Sequence, residues 1–186
     1  APAQGAVEYE IRTHYSNVGD DTSPFWKPLS PELDQQWEDL YNFGVSKIPK
    51  SKAALLPNKT APIPGQEEFY IVMIDVFHEL HCLNMIRQTL YPDYYPKMRW
   101  NSSEMPWHIG HCLDSIRQSL ICSADVSVLV WQWNEELQKN IRRHDVPHTC
   151  RKFNKIQAWA KERELRQFDD TVYVKDDLVV PLYHSM

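Results

Sequence analysis

The segment VFHELHCLNMIRQTLY, Val76–Tyr91, is followed along the chain by a second version of itself, HIGHCLDSIRQSLI, His108–Ile121. Aligned without gaps from His78 and His108, the two copies share both histidines, the cysteine after the second histidine, and an Ile-Arg-Gln sequence. Residues three and four apart lie on one face of an α-helix. Each copy therefore predicts a helix that carries two histidines and a cysteine on the same face.

The chain has the size and composition of a globular protein. Its 186 residues are 42% hydrophobic and 24% charged, which suffices for a core and predicts a single domain over residues 1–186. A net charge of −5 argues against a nucleic-acid partner. No apolar run reaches the roughly 18 residues of a membrane helix. Because the chain begins at Ala1, and because Asn58 and Asn101 lie in glycosylation sequons, we expect a secretory domain whose targeting segment has been removed.

The remaining predicted elements are mostly helical, so the sequence predicts a mainly α fold with long Pro-rich loops and a small β element. Ser30 and Pro31 are typical of a helix start, and Ser103 is the expected cap of the second motif helix. The first elements in chain order are an extended arm over 1–28, a helix from 30, and a loop over 44–66. Residues 68–74 suit a buried strand or the start of a helix, and the motif helices lie within 68–123. Helices over about 126–143 and 151–167 and short terminal strands within 168–186 follow.

The histidines of the two motifs are candidate metal ligands. Imidazole nitrogens bind zinc, copper, iron or nickel, and two helices with this spacing can each supply a pair of them. A single such pair is weak support, but its duplication favours a metal site. The first motif differs from the His-Glu-x-x-His signature of zinc proteases, in which the histidines are four residues apart. The predicted ligands are His78, His81, His108 and His111.

The four cysteines allow three disulfide pairings. We favour a Cys82–Cys112 disulfide, which would link the two motif helices, together with a Cys122–Cys150 disulfide. The alternative is that Cys82 and Cys112 are thiolate ligands of a soft metal. A free thiol beside a redox metal would not persist in an oxidising compartment, and this favours the disulfides.

Other polar residues have candidate roles outside the motifs. His148 is a candidate for an additional metal ligand or a neighbour of the ligands, and His144 is a weaker one. Asp75 is the expected N-cap of the first motif helix. Arg87 and Arg117 occupy equivalent positions in the two copies, on the side of the helix away from the first histidine, where structural ion pairs are expected.

The doubled His-x-x-His-Cys motif resembles that of the UstYa-like fungal oxidases of mycotoxin and ribosomal-peptide natural-product biosynthesis. The resemblance extends to PLSPELDQQWEDL (Pro28–Leu40) and HTCRKFNKIQAWAKER (His148–Arg163), and it covers about residues 24–165. The first and last 20 or so residues match no family segment.

This resemblance implies a lumenal catalytic domain whose membrane anchor is absent from this chain. It also implies copper-dependent oxidation by O2, such as macrocyclisation or hydroxylation of a peptide or a peptide-derived small molecule, and a homo- or heterodimer with a related oxidase. The number of copper ions that the chain binds, one or two, remains open. The alternatives are a non-catalytic metal-binding subunit with structural zinc and, less favoured, a metal-dependent hydrolase, for which Glu79 is the sole acid inside either motif.

Overall fold

The computed structural model describes residues 1–16, 20–99 and 104–181. The described residues are 35% helical and 21% strand, and their strands form three antiparallel sheets. The prediction of a mainly α fold is therefore wrong. The α-helices are α1 Pro31–Glu38, α2 Lys50–Ala53, α3 Asp75–Thr89, α4 Glu104–Ser123 and α5 Phe153–Lys161. The strands are β1 Tyr9–Thr13, β2 Val45–Pro49, β3 Pro62–Ile63, β4 Gln66–Met73, β5 Val130–Asn134, β6 Lys139–Arg143 and β7 Pro147–Arg151.

Four regions differ from the predicted elements. The loop expected over 44–66 contains β2, α2 and β3, so this prediction is wrong. The helix expected over about 126–143 is a hairpin of β5 and β6, because the β-branched and aromatic residues of this segment favour a strand. The extended arm contains β1, which pairs with the distant β7. The described residues 168–181, where terminal strands were expected, contain no strand.

The first of two compact units comprises Ala1–Val7, Asp39–His81 and Asn154–Met186. Its three-stranded sheet has the order β2-β4-β3, with β4 at the centre. Of the two alternatives for 68–74, a buried strand and a helix start, the strand is the one observed, as part of β4. The core of this unit is built from Ile48, Ala53, Tyr70 and Leu178, all at most 1% exposed.

The second unit comprises Glu8–Glu38 and Cys82–Phe153. It contains two two-stranded sheets, β1-β7 and β5-β6. Helix α1 begins as predicted, since Ser30 Oγ accepts a hydrogen bond from the backbone N–H of Leu33 at 3.2 Å. The division between the units falls within α3, after His81.

Both copies of the motif form helices, as the spacing predicts. Helix α3 begins at Asp75, the expected cap position, and α4 ends at Ser123. The predicted cap Ser103 lies outside the described residues. Among the described helices, none combines the length and the apolar composition needed to cross a membrane.

The predicted disulfides are not present, and this part of the fold prediction is wrong. None of Cys82, Cys112, Cys122 and Cys150 is joined in a disulfide. One cysteine pair lies 2.6 Å apart, which is longer than the S–S bond of about 2.05 Å. Cys82 and Cys112 are instead fully buried small residues of the motif helices, a role in which cysteine is common.

The expected ion pair of Arg87 is confirmed and joins two helices of the second unit. Its guanidinium lies 2.6 Å from the Asp34 carboxylate of α1 and 2.8 Å from the Asn84 side chain. It also lies 5.4 Å from the Trp37 ring centroid and 5.3 Å from that of Tyr95. Cation–π contacts and a partly desolvated ion pair therefore combine at one arginine.

Tyr95 extends this network and gives it a measurable pH dependence. Burial, followed by the 2.5 Å hydrogen bond that its hydroxyl donates to Asp34, raises the pKa of Tyr95 to about 12. Because the protonated hydroxyl is the stabilised form, its contribution is complete below the unfolded pKa of about 10 and is lost as the pH rises toward the folded value. We predict that Tyr95→Phe lowers the free energy of unfolding by about 1 kcal/mol at neutral pH.

The check is urea unfolding of both proteins as the pH is raised, together with ultraviolet titration of the tyrosines. The difference between wild type and Tyr95→Phe should shrink above about pH 10. A difference that stays constant across this range would contradict the assignment.

Candidate metal centre

The first motif is positioned by the aromatic residue before its first histidine. Phe77 is 1% exposed and packs edge-on against Phe43, with ring centroids 5.3 Å apart. Gly44 permits this packing, because a Cβ at that position would lie 2.8 Å from the Cβ of Phe77. The buried Phe77 thereby fixes the rotation of α3, and His78 and His81 are left partly exposed.

His81 is further held by a ring contact. Its imidazole meets Tyr41 edge to face, with ring centroids 5.4 Å apart. Glu79, on the same helix, has a buried carboxylate oxygen, Oε1, without a hydrogen-bond partner among the described residues. An unpaired buried acceptor is costly, so a bound cation beside His78 would stabilise it. The sequence indicates Glu79 only as the acid of the less favoured hydrolase and predicts no role for it in metal binding.

The second motif is more open to solvent. Ile109 and Cys112 form the buried side of α4, at 4% and 0% exposure. His108 is partly exposed, whereas His111 is exposed and stacks on Trp107 with ring centroids 6.0 Å apart and planes inclined by 10°. The expected ion pair of Arg117 is present, but it is an exposed one to Asp114 on the same helix.

Each motif therefore supplies a pair of imidazoles one helical turn apart. Within residues 1–16, 20–99 and 104–181, no three or more His, Cys, Asp or Glu side chains are arranged to hold one metal ion. The donors of both motifs are imidazole nitrogens, and copper and zinc both bind this type of ligand. The described geometry provides ligand pairs rather than a complete coordination sphere.

His148 lies in a different polar cluster, with two residues that the sequence did not indicate. It is 7% exposed, its Nδ1 lies 2.5 Å from Asp125, and its ring stacks on His14 at 3.6 Å. Its buried Nε2 has no partner in the described part of the chain. A backbone hydrogen bond from Ser127, and then His148, lower the pKa of Asp125 to about 2. Burial, followed by His148, lowers the pKa of His14.

His14 and Asp125 were missed because no local pattern identifies them. His14 lies within the predicted arm, directly after β1. Only the pairing of β1 with β7, in which Arg12 opposes His148, brings it to this cluster. His144 remains at the surface, with its Nε2 3.4 Å from Nε of Arg142.

An apolar cleft of about 500 Å³ lies in the first unit, at the start of the first motif helix. Its wall includes Ile71, Met73 and Asp75. Asp75 is three residues before His78, so the two side chains share one side of α3. The cleft therefore ends about one helical turn from the first candidate ligand.

Nearby Asn58, the first glycosylation sequon, is exposed, whereas Asn101 and Trp100 lie outside the described residues.

Comparison with known proteins identifies the family. A family profile described as "Mycotoxin biosynthesis protein UstYa" matches residues 1–163. The chain is 32% identical over 168 residues to the "UstYa family oxidase phomYc" of Diaporthe leptostromiformis, covering 84% of this chain and 65% of that protein. It is 38% identical over 162 residues to phomYc' of the same fungus, covering 84% of this chain and 58% of that protein.

A third relative is the "Oxidase ustYa" of Aspergillus flavus, 36% identical over 146 residues, with 76% of this chain and 64% of that protein covered. The chain thus spans less than two thirds of the length of each of these three relatives. No solved structure matches the chain. The doubled motif, the flanking segments and the match over residues 1–163 lead to one conclusion: the chain belongs to the UstYa family of mycotoxin biosynthesis proteins.

Proposed function

We propose that the chain is a copper-dependent oxidase of fungal secondary metabolism. It uses O2 to oxidise a C–H bond or a phenol of a peptide-derived substrate, as in oxidative macrocyclisation or hydroxylation. The observation that carries the proposal is the doubled pair of helix-mounted imidazoles in a family whose curated relatives are named oxidases. The ligands are His78, His81, His108 and His111.

The chain's own residues would bind the metal and restrain its ligands. Copper suits the donors because imidazole binds Cu(II) strongly and copper stands highest in the divalent affinity order. When bound, it supplies one-electron oxidation chemistry with O2. The ring contacts of Tyr41 with His81 and of Trp107 with His111 limit rotation of two ligands.

The substrate would be a peptide or a peptide-derived small molecule with an apolar side chain. The cleft at the start of α3 is lined largely by apolar residues and has a volume in the range of small-molecule sites. It would hold an apolar group about one helical turn from His78. The proposal also locates the chain in the secretory lumen, with glycans at Asn58 and Asn101, and includes a homo- or heterodimer with a related oxidase.

One observation favours a second candidate, a non-catalytic metal-binding subunit of such an oxidase. Among the described residues, no three His, Cys, Asp or Glu side chains are arranged to hold one metal ion. Such an arrangement would suit a chain that binds metal only together with a partner subunit. Zinc has no redox chemistry, so oxygen consumption separates the two candidates.

The test is copper titration of the metal-free protein, followed by oxygen uptake in the presence of short peptides that contain Tyr, Phe or Ile. We predict copper bound through nitrogen ligands, seen as nitrogen hyperfine splitting in electron paramagnetic resonance, and oxygen uptake that requires both copper and peptide. The zinc-loaded protein is the control and should consume no oxygen. Tight zinc binding that copper does not displace, without oxygen uptake, would contradict the oxidase and support the subunit.

A further inference from the structure

A second cavity, separate from the motif histidines in sequence, lies in the second unit beside the β1-β7 sheet. Its volume is about 730 Å³, which is within the range of small-molecule sites. The residues that line it combine basic, hydroxyl and aromatic side chains with one thiol. They are Arg12, Thr13, His14, Tyr15, Ser16, Ser23, His144, Cys150, Arg151 and Phe153.

The lining is positively charged although the chain as a whole carries −5. Arg12 and Arg151 are the charged residues of the described lining, and no carboxylate is among them. Neither guanidinium has an ion-pair or hydrogen-bond partner within the described part of the chain. Six other arginines are each paired with a carboxylate: Arg87, Arg99, Arg117, Arg143, Arg163 and Arg166.

The acids close to this cavity are already engaged. Asp21 accepts a hydrogen bond from the backbone N–H of Ser16 at 2.7 Å. Asp125 accepts from His148 and from the backbone N–H of Ser127. Glu8, near the far end of β1, is paired with Lys152 at 2.9 Å. None of these acids, nor Glu10 on β1, is among the residues that line the cavity. The lining itself therefore presents positive charge to an anionic ligand.

The wall at His14 is rigidly supported. Its ring stacks on His148 at 3.6 Å with planes inclined by 13°, and His148 is buried and held by Asp125. Arg12 is on the strand next to His148, since the two are partners in the β1-β7 register. A ligand group between Arg12 and His14 would therefore meet an imidazole ring that is already held in place, beside an exposed guanidinium.

We propose that this cavity binds an organic carboxylate, the free C-terminus of a short peptide whose last side chain is aromatic or apolar. Guanidinium groups recognise carboxylates through charge-assisted, often bidentate hydrogen bonds. The volume far exceeds that of a single inorganic anion, and Tyr15 and Phe153 offer rings for an apolar body. The choice of a peptide rests on the proposed function, whereas binding of the carboxylate requires neither copper nor oxidation.

The test is calorimetric titration of the metal-free full chain with acetyl-Ala-Ala-Phe and with its C-terminal amide. The acid is expected to bind more tightly than the amide by about tenfold or more, the usual effect of one charge-assisted hydrogen bond. Arg12→Gln and Arg151→Gln should each weaken binding of the acid by a similar factor and leave binding of the amide unchanged.

Arg166→Gln is the matched control, because it removes the same charge from an exposed site in the first unit. Circular dichroism and thermal unfolding verify that each variant is folded. The proposal would be overturned if the protein bound the acid and the amide with equal affinity, or bound neither. It would also be overturned if Arg166→Gln lost as much affinity for the acid as Arg12→Gln and Arg151→Gln do. Displacement of the peptide by inorganic phosphate at equal affinity would also overturn it, since the site would then select free anions. Because no metal is present, failure of the copper proposal leaves this result intact.

Discussion

Replacing Arg87 with methionine is expected to lower the free energy of unfolding by about 3–5 kcal/mol, the usual cost of removing one partner of a buried ion pair. Methionine keeps much of the apolar stem that packs near Trp37 and Tyr95, but it leaves the Asp34 carboxylate without its guanidinium. The side chains of Arg87 and Asp34 are only 12% and 25% exposed, so water cannot fully replace the lost charge. Urea unfolding followed by tryptophan fluorescence measures the effect.

The repeat provides the matched control at Arg117, the equivalent position of the second copy. Its pair with Asp114 is within one helix, and the two side chains are 57% and 54% exposed. Such surface pairs contribute at most about 1 kcal/mol, so Arg117→Met should have a small effect. Equal losses in Arg87→Met and Arg117→Met would show that burial does not distinguish the two pairs.

A double variant separates the lost ion pair from lost packing. In Arg87→Met/Asp34→Leu neither charge is left buried, and apolar replacement of a whole buried pair is often close to neutral. Most of the stability should therefore return, apart from about 1 kcal/mol for the hydrogen bond that the Tyr95 hydroxyl loses with Asp34. If the double variant is as unstable as Arg87→Met, the loss comes from packing against Trp37 and Tyr95 and not from an unpaired Asp34.

The elements that the sequence predicts correctly are those with local signals. Ser30 and Pro31 mark the start of α1, and the three- and four-residue spacing of the motifs marks α3 and α4. Each of these signals lies within one helix. The positions of the candidate ligands on α3 and α4 follow from the same local spacing.

The hairpin of β5 and β6 replaces the helix predicted over about 126–143. In that segment Leu129, Trp133 and Leu137 are four residues apart, a spacing that also suits a helix. The same segment, VSVLVWQW, is rich in β-branched and aromatic residues, which favour strands. Its turn is closed by Asn134, whose Oδ1 accepts a hydrogen bond from the N–H of Leu137 at 2.7 Å, and by Gln138 at a φ of 48°. Asparagine is a turn signal, and it would have favoured the hairpin.

The parts that could not be predicted depend on contacts between distant segments. Strand β1 pairs with β7, in which Tyr9 opposes Arg151, and no local pattern selects that partner. Leu178 is buried in the core of the first unit without belonging to a strand, although its segment alternates as strands do. For the same reason, the cluster of His14, His148 and Asp125 was not foreseen.

Removing both histidines of either motif is expected to abolish tight copper binding. One motif supplies two imidazoles, whereas Cu(II) sites usually have about four nitrogen or oxygen ligands. His78→Ala/His81→Ala and His108→Ala/His111→Ala should therefore each weaken copper binding by more than about 100-fold, beyond the effect of losing a residue that only orients a ligand. Peptide-dependent oxygen uptake should disappear in both variants.

Gln88→Ala and Gln118→Ala are the controls, since these residues occupy equivalent positions on the same two helices outside the motifs. Both should keep wild-type copper stoichiometry and affinity, measured by titration and by metal analysis after dialysis. If each double variant instead keeps half of the copper at wild-type affinity, each motif binds its own ion and the four imidazoles do not share one. Because the two motifs differ in exposure, with His111 exposed and His81 held by Tyr41, separate ions would also differ in affinity. A single shared ion would show one affinity that either double replacement removes.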